Sequence, residues 1–199
     1  MKPITVALTG ASGMPYALTL LKELVKTQEL IYVLISQAAS TVIAMETDLE
    51  LGVDTQSIEA NLTTYLGAKK GQIKAFGKNQ WTAPIASGSN PPRAMVICPC
   101  TMATLSAVAH GQADNLMHRA ADVVIKEHQR LVLVPRETPY SAIHLENMLK
   151  LSRLGVRIVD ANPAFYHQPE SIQDLVDFVV ARILDHLEIE HQLLPRWQA

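Results

Sequence analysis

The chain has 199 residues, which one α/β domain nearly uses up, so a second full domain is not expected. Apolar residues make up 48%, enough for a real core, while charged residues make up only 18%, below the usual ~25%, which points to surface buried against further copies of the chain. The net charge is −2 without a basic stretch, which argues against a duplex nucleic-acid binder, and no apolar run nears the ~20 residues of a membrane span.

Residues 4–21 are mostly apolar, but Gly10, Ser12, Gly13 and Pro15 interrupt them and only Lys2 precedes them as a cation. They read as a first strand and helix rather than a signal peptide, hence a cytoplasmic protein. The strand covers 4–8, Thr9-Gly10-Ala11-Ser12-Gly13 forms a turn, and a helix with Pro15 in its first turn runs to about residue 25. A second strand covers 31–35 and ends at Ser36. Helices follow over 38–46 and 56–66, then a short strand over 73–76. Ser87-Gly88-Ser89-Asn90-Pro91-Pro92 is loop. A strand over 94–98 is expected to stop at Pro99. Helices over 101–110 and 116–127, a strand over 131–134, a helix over 142–154, a strand over 156–159 and a helix over 172–187 complete the pattern. Strands alternating with helices predict a Rossmann-like (flavodoxin-like) parallel sheet with helices on both faces. The domain is expected over 1–190, with 191–199 as a tail carrying an exposed Arg196-Trp197.

Cys98 and Cys100 flank Pro99, a spacing of neither a redox pair nor a zinc ribbon, and both are expected reduced and at least partly buried. The seven histidines are scattered, so no metal site is expected. A glycine turn between a buried strand and a helix aims backbone N–H groups at a phosphate. The spacing here is Gly-x-x-Gly, and strand two ends in Ser36 instead of the acid that holds a dinucleotide ribose, which favours FMN over NAD. On this segment alone, a tight turn without a ligand explains the glycines equally well.

The second half gathers polar residues where strands end: Cys98-Pro99-Cys100-Thr101-Met102-Ala103-Thr104-Leu105, Arg119-Ala120-Ala121-Asp122 with Lys126-Glu127, Arg136-Glu137-Thr138-Pro139, and Ala164-Phe165-Tyr166. All four clusters are expected at one edge of the sheet. Together with Met45-Glu46-Thr47-Asp48 and Ser87-Gly88-Ser89, they resemble, in order and over essentially the whole chain, the flavin prenyltransferase family (UbiX-like) of the homo-oligomeric flavin-containing cysteine decarboxylase-like proteins.

The resemblance implies FMN held by Gly10, Ala11, Ser12, Ser36, Thr101, Met102, Ala103, Thr104 and Arg136. It implies a prenyl monophosphate held by Arg119, Lys126, Arg136, Tyr166 and Arg182. Such enzymes join a dimethylallyl group from dimethylallyl monophosphate to N5 and C6 of reduced FMN without a metal. The prenylated FMN then serves a partner decarboxylase, in ubiquinone-making bacteria one acting on a polyprenyl hydroxybenzoate. A homo-oligomer is implied, with a dodecamer as the candidate assembly. Thr101, His128 and Asp160-Ala161-Asn162 depart from the family pattern.

Cationic side chains suit a departing phosphate, and arginine grips it with two donors at once. Closing a ring at C6 expels a proton, which makes Glu137 and Glu46 candidates for proton handling, with Ser12 assisting. Trp81 and Trp197 could offer π-faces to an allylic cation. On spacing alone, Arg119 and Lys126 fit a solvated helix face better than a site. A cysteine-peptide decarboxylase on the same scaffold would use a histidine just after its early strands, and the chain has none before His110. A flavin carrier without catalysis would not need the phosphate-binding cations beyond those for FMN.

Overall fold

The computed structural model describes residues 2–195 and builds one six-stranded sheet, every strand parallel to its neighbours. In chain order the elements are β1 (Ile4–Leu8), α1 (Met14–Lys26), β2 (Ile31–Ile35), α2 (Gln37–Glu46), α3 (Thr55–Leu66), β3 (Ile73–Phe76) and a 3-10 turn at Pro84–Ala86. Next come β4 (Ala94–Cys100), α4 (Met102–Ala109), α5 (Leu116–Lys126), β5 (Arg130–Pro135), α6 (Ala142–Arg153), β6 (Arg157–Ile158) and α7 (Ile172–Leu187). The strands lie in the order β3-β2-β1-β4-β5-β6. This is the doubly wound α/β arrangement that the alternation predicts.

The central strands β1, β4 and β5 are buried on both faces, so their side chains feed two cores by period-two alternation. Ile4, Val6 and Leu8 of β1 pack with α1, α3 and α7, while Ala7 faces the opposite side with α4 and α5. On the first side α1 lies along α7, burying Leu20, Leu21, Val180 and Leu184. Local signals set the helix ends. Pro15 sits in the first turn of α1, Asp54 and Ser57 form a capping box on α3, and Ser171 with Asp174 does the same on α7.

One expectation fails in a useful way. Pro99 does not stop β4, which continues to Cys100 and pairs there with Pro135 of β5. The register shifts between Ile97 and Cys100, so the missing N–H of proline falls at an irregularity instead of breaking the ladder. The last strand is only two residues, Arg157–Ile158, shorter than the sequence pattern indicates. Cys98 and Cys100 are both free and fully buried, and burial pushes both thiols well above their ordinary range, Cys100 to about 12. Arg196-Trp197 lies outside the described residues.

Because Leu21 is fully buried between α1 and its partners, Leu21→Ala is expected to cost about 2–5 kcal/mol, through lost transfer energy and the cavity left behind. Thermal denaturation of the two proteins under matched conditions checks this. An unchanged Tm would mean that the α1–α7 side of the core is not tightly packed.

Candidate functional site at the carboxyl edge of the sheet

The strand order reverses between β1 and β4, whose following helices leave toward opposite faces. That parting opens a crevice at the carboxyl ends of these strands, the place where open α/β sheets receive ligands. Thr9 stitches its floor. The Thr9 hydroxyl donates to the Pro99 carbonyl at 2.7 Å and accepts from the Thr101 amide at 2.8 Å. Thr9 is fully internal and lies at the end of a strand, so nothing in the sequence marked it beyond its place in the turn.

Three helices begin around this edge. Thr101 caps α4, its hydroxyl accepting from the Thr104 amide at 3.2 Å and donating to the Thr104 hydroxyl at 3.0 Å. Ser36 caps α2 by accepting from the Ala39 amide at 3.1 Å. The Gly10–Gly13 turn leads into α1. A Cβ on Gly10 would lie 2.5 Å from the Cβ of Ala38, so α2 can approach the turn only if residue 10 is glycine. Gly13 has φ +128°, a conformation that side-chain-bearing residues avoid. Each glycine therefore has a structural cause, and together they leave helix N-termini facing the crevice.

Glu46, the last residue of α2, reaches back to the start of α1. One carboxylate oxygen accepts from the Gly13 amide at 2.9 Å and the Met14 amide at 2.8 Å. Partial burial alone would raise this carboxyl. Hydrogen bonds from the Ser12 hydroxyl and the two amides, aided by the charge of Arg136, outweigh it and hold Glu46 below the usual carboxylate range. Arg136, just beyond β5, donates from Nε to the Ser12 carbonyl at 3.2 Å. Ser12, Glu46 and Arg136 thus meet at the N-terminus of α1. Glu137 follows on the same edge, its carboxylate accepting from the Thr138 amide. Tyr140 donates to Asp160 across the ends of β5 and β6. Burial, then that bond, raise the Tyr140 hydroxyl far above its ordinary range.

The cations of the second predicted group are placed differently. Arg119, in the first turn of α5, donates from Nε to the Ala86 carbonyl at 3.0 Å and pairs with Asp122 at 2.6 Å. Lys126 ends α5 beside Glu127 and so close to residue 88 that a Cβ on Gly88 would collide with both side chains. Residue 88 leads into the start of β4, and Glu127 feels the charge of Lys2, which precedes β1. Lys126 therefore lies at the amino edge. The six residues of β5, roughly 20 Å long, separate that edge from Arg136. Arg182 pairs with Asp185 on α7 at 2.6 Å, five residues before Leu187, whose carbonyl accepts from Arg130 at the start of β5. It too belongs to the amino-edge half. The expectation that all four clusters share one edge is wrong for Lys126, because α5 runs antiparallel to the strands and carries its far end to the other side. Tyr166 is exposed in the loop after β6, edge-on to Phe178 of α7 at 6.1 Å.

Two hollows adjoin this region. An open groove of about 800 Å³ lies between α1, α3 and α7, with Pro15, Leu18, Met45, Glu46, Tyr65 and Gln173 among its walls. A smaller cavity of about 180 Å³ lies beyond β2 and β3 and includes Ser36 and Thr104. Trp81 is half-exposed in the turns after β3, and Trp197 falls outside the described residues. Among the described residues no cluster of three His, Cys, Asp or Glu could hold a metal, and no helix is long and apolar enough to cross a membrane.

The Flavoprotein family profile matches residues 1–184. The chain is 60% identical over 194 residues to the flavin prenyltransferase UbiX of Pseudomonas aeruginosa, covering 98% of this chain and 93% of that relative. It is 46% identical over 193 residues to the flavin prenyltransferase UbiX of Halalkalibacterium halodurans, covering 97% and 92%. Among solved structures, a dodecameric FMN-dependent UbiX-like decarboxylase from Escherichia coli superposes with a TM-score of 0.86 at 41% identity, covering 99% of this chain and 100% of that one. A UbiX in complex with FMN and dimethylallyl pyrophosphate gives 0.87 at 37% identity, covering 100% and 98%. The cypemycin decarboxylase, at 14% identity, a TM-score of 0.58 and coverage of 91% and 93%, shares the fold alone.

Two outcomes follow from the geometry. Gly10→Val should push α2 away from the turn and weaken binding of any crevice ligand by at least about tenfold while far-UV circular dichroism stays near native; unchanged binding would show that the Gly10–Ala38 approach does not shape the site. Glu46→Gln should lower thermal stability at pH 7. A carboxyl with a depressed pKa stabilises above its unfolded value of about 4.3, and that contribution is lost as the pH falls through the folded value. The Tm gap between parent and Glu46→Gln should therefore close on acidification. A gap that persists or widens in acid would contradict the assignment.

Proposed function

We propose, from the premise that this chain belongs to the Flavoprotein family and within it to the flavin prenyltransferases, that it joins the dimethylallyl group of dimethylallyl monophosphate to N5 and C6 of reduced FMN. The observation that carries this reading is the meeting of Ser12, Glu46 and Arg136 at the N-terminus of α1, beside two further capped helix starts. The residues fit FMN: Gly10 lets α2 pack close to the turn, and the starts of α1, α2 and α4 gather at one rim, where helix N-termini favour an anionic tail. FMN supplies the nucleophilic ring positions, and no metal is required.

In this reading Gly10, Ala11, Ser12, Ser36, residues 101–104 and Arg136 hold FMN. Arg119, Lys126, Arg136, Tyr166 and Arg182 hold the prenyl phosphate. As the allylic C–O bond breaks, the phosphate leaves with the electron pair, and the cations stabilise the charge it gains. Glu46, kept ionised, steadies the developing allylic cation and positions Ser12. Glu137 accepts the proton that C6 gives up. Since Lys126 lies about a strand length from Arg136 in one chain, the site is completed by a second copy that brings its amino edge to the first copy's crevice. This agrees with the dodecameric relative and with the low charge content. The active unit is thus a homo-oligomer of FMN-binding domains spanning 1–190, located in the cytoplasm. Its prenylated FMN passes to a partner decarboxylase, one of a ubiquinone-type pathway in organisms that make that quinone.

The relatives' names divide between prenyltransferase and decarboxylase. The cation set favours the former, because a decarboxylase has no leaving phosphate for it to hold. Reduced, FMN-loaded protein incubated with dimethylallyl monophosphate should yield an extracted flavin heavier by one prenyl unit, and an unchanged flavin mass would overturn the reading.

Two variants separate the roles. Lys126→Ala should weaken prenyl phosphate binding and slow its departure by about 1.5–3 kcal/mol, one to two decades, as for other lost charged hydrogen bonds. Glu137→Gln should leave phosphate release in a single turnover intact and slow formation of the four-ring product by about 10²–10⁴. Formation at the parent rate would make Glu137 structural.

A further inference from the structure

The loop after β6 carries a side-chain cluster that none of the roles above uses. Residues 160–162 are Asp-Ala-Asn, which depart from the family pattern. The Val159 and Ala161 backbone amides donate to the Leu133 and Pro135 carbonyls, so the chain runs beside β5 to that strand's last residue. There the Asn162 backbone amide donates to the Asp160 carbonyl at 2.8 Å and the chain turns away. The two carboxylate oxygens of Asp160 take separate partners at this turn. Oδ1 accepts from the Tyr140 hydroxyl, and Oδ2 accepts from the side-chain amide of Asn162.

Tyr140 belongs to the other loop of this rim. It closes the segment between β5 and α6 that begins with Arg136 and Glu137, and it packs against the core under α4 and α5. Burial and the bond to Asp160 raise its hydroxyl, Glu137 raises it further and Arg136 opposes them, so both charges lie near it. The hydrogen bond of Glu137 goes to the adjacent Thr138 amide, which holds it to its own turn and no further. The far end of the loop after β6 is anchored separately. His167 stacks on Phe178 of α7 with ring centres 5.4 Å apart, and Tyr166 lies edge-on to the same ring. A bond from a hydroxyl to a carboxylate is stronger than a neutral one, and the second bond to Asn162 restrains rotation of the Asp160 carboxylate.

We propose that Asp160 is a positioning residue: through Tyr140 it locks the turn bearing Arg136 and Glu137 to the loop bearing Tyr166. The groups that serve the prenyl phosphate and the C6 proton thereby keep one spacing, as reacting groups must to within about 0.5 Å. The proposal rests on the prenyltransferase reading and adds to it a residue that touches neither flavin nor phosphate.

The test uses the full-length protein and four variants: Tyr140→Phe, Asp160→Ala, Asp160→Asn and the double variant Tyr140→Phe with Asp160→Ala. Prenylation of reduced FMN by dimethylallyl monophosphate is measured well below every Tm, and FMN affinity separately by fluorescence quenching. Tyr140→Phe keeps the ring and should lower kcat/KM for the prenyl phosphate by roughly tenfold, as losing a hydrogen bond to a charged group does, with FMN affinity at the parent value. Asp160→Ala should do the same. The double variant should be no worse than the worse single one, because both remove the same link. Asp160→Asn still offers Tyr140 an acceptor and should recover most of the loss. Losses that add in the double variant, a loss matched by weaker FMN binding, or variants that differ from the parent in Tm alone would each overturn the role of Asp160. Hydrogen exchange reads the lock apart from activity: peptides covering 161–168 should exchange faster in Tyr140→Phe and in Asp160→Ala, and unchanged exchange would overturn it. A parent protein that makes no prenylated flavin would overturn the prenyltransferase reading itself, while faster exchange in the variants would still uphold the lock.

Discussion

The constraint on which the site depends is the parting of β1 and β4. Two adjacent parallel strands send their helices to opposite faces, so no helix can cover the gap between them. The Thr9 hydroxyl holds the two strand ends in register at that gap by serving the Pro99 carbonyl and the Thr101 amide together. Once the ends are fixed, the starts of α1, α2 and α4 converge, and unpaired backbone donors with partial positive charge collect on one rim. Glu46 satisfies two donors of α1 and is kept ionised by doing so. The rim that remains is suited to an anionic ligand.

The same antiparallel course of helix against strand explains why, in the proposed reading, one chain does not make a complete site. Each helix after a strand returns to the amino edge, so residues late in α5 or α7 end up far from residues that follow β5. Lys126 and Arg136 are therefore separated by topology, and no rotamer change brings them together. The cations engage carboxylates within their own chain in the meantime, Lys126 with Glu127 and Arg182 with Asp185. These exposed pairs are weak enough to be exchanged for a phosphate. In the proposed oligomer, contact between copies is thus part of the chemistry as well as of stability.

Much of this was legible in the sequence. The buried strands announced themselves by β-branched apolar runs, and the glycine turn, Ser36 and Thr101 gave the rim because caps and tight turns have local signatures. Two things were not. The continuation of β4 through Pro99 depends on a register shift against β5, a pairing that local pattern does not encode. The distance of Lys126 from the other clusters depends on helix direction, which the clustering of motifs conceals. Glu46 was singled out for proton handling. Its two amide bonds add a capping role that sequence spacing could not reveal, since the partner residues are 32 and 33 positions away.

The central claim is that one copy's carboxyl edge and another copy's amino edge make each active site, and complementation between two inactive variants tests it most directly. Arg136→Ala and Lys126→Ala lie on opposite edges, so homo-oligomers of either should turn over slowly. Oligomers reassembled from an equal mixture should regain activity, up to roughly a quarter of the parent rate if copies mix at random, because some sites then pair an intact Arg136 with an intact Lys126 from the other variant. Confirmed mixing of subunits with no gain over the separate variants would contradict the account and place both residues in a site made by a single chain.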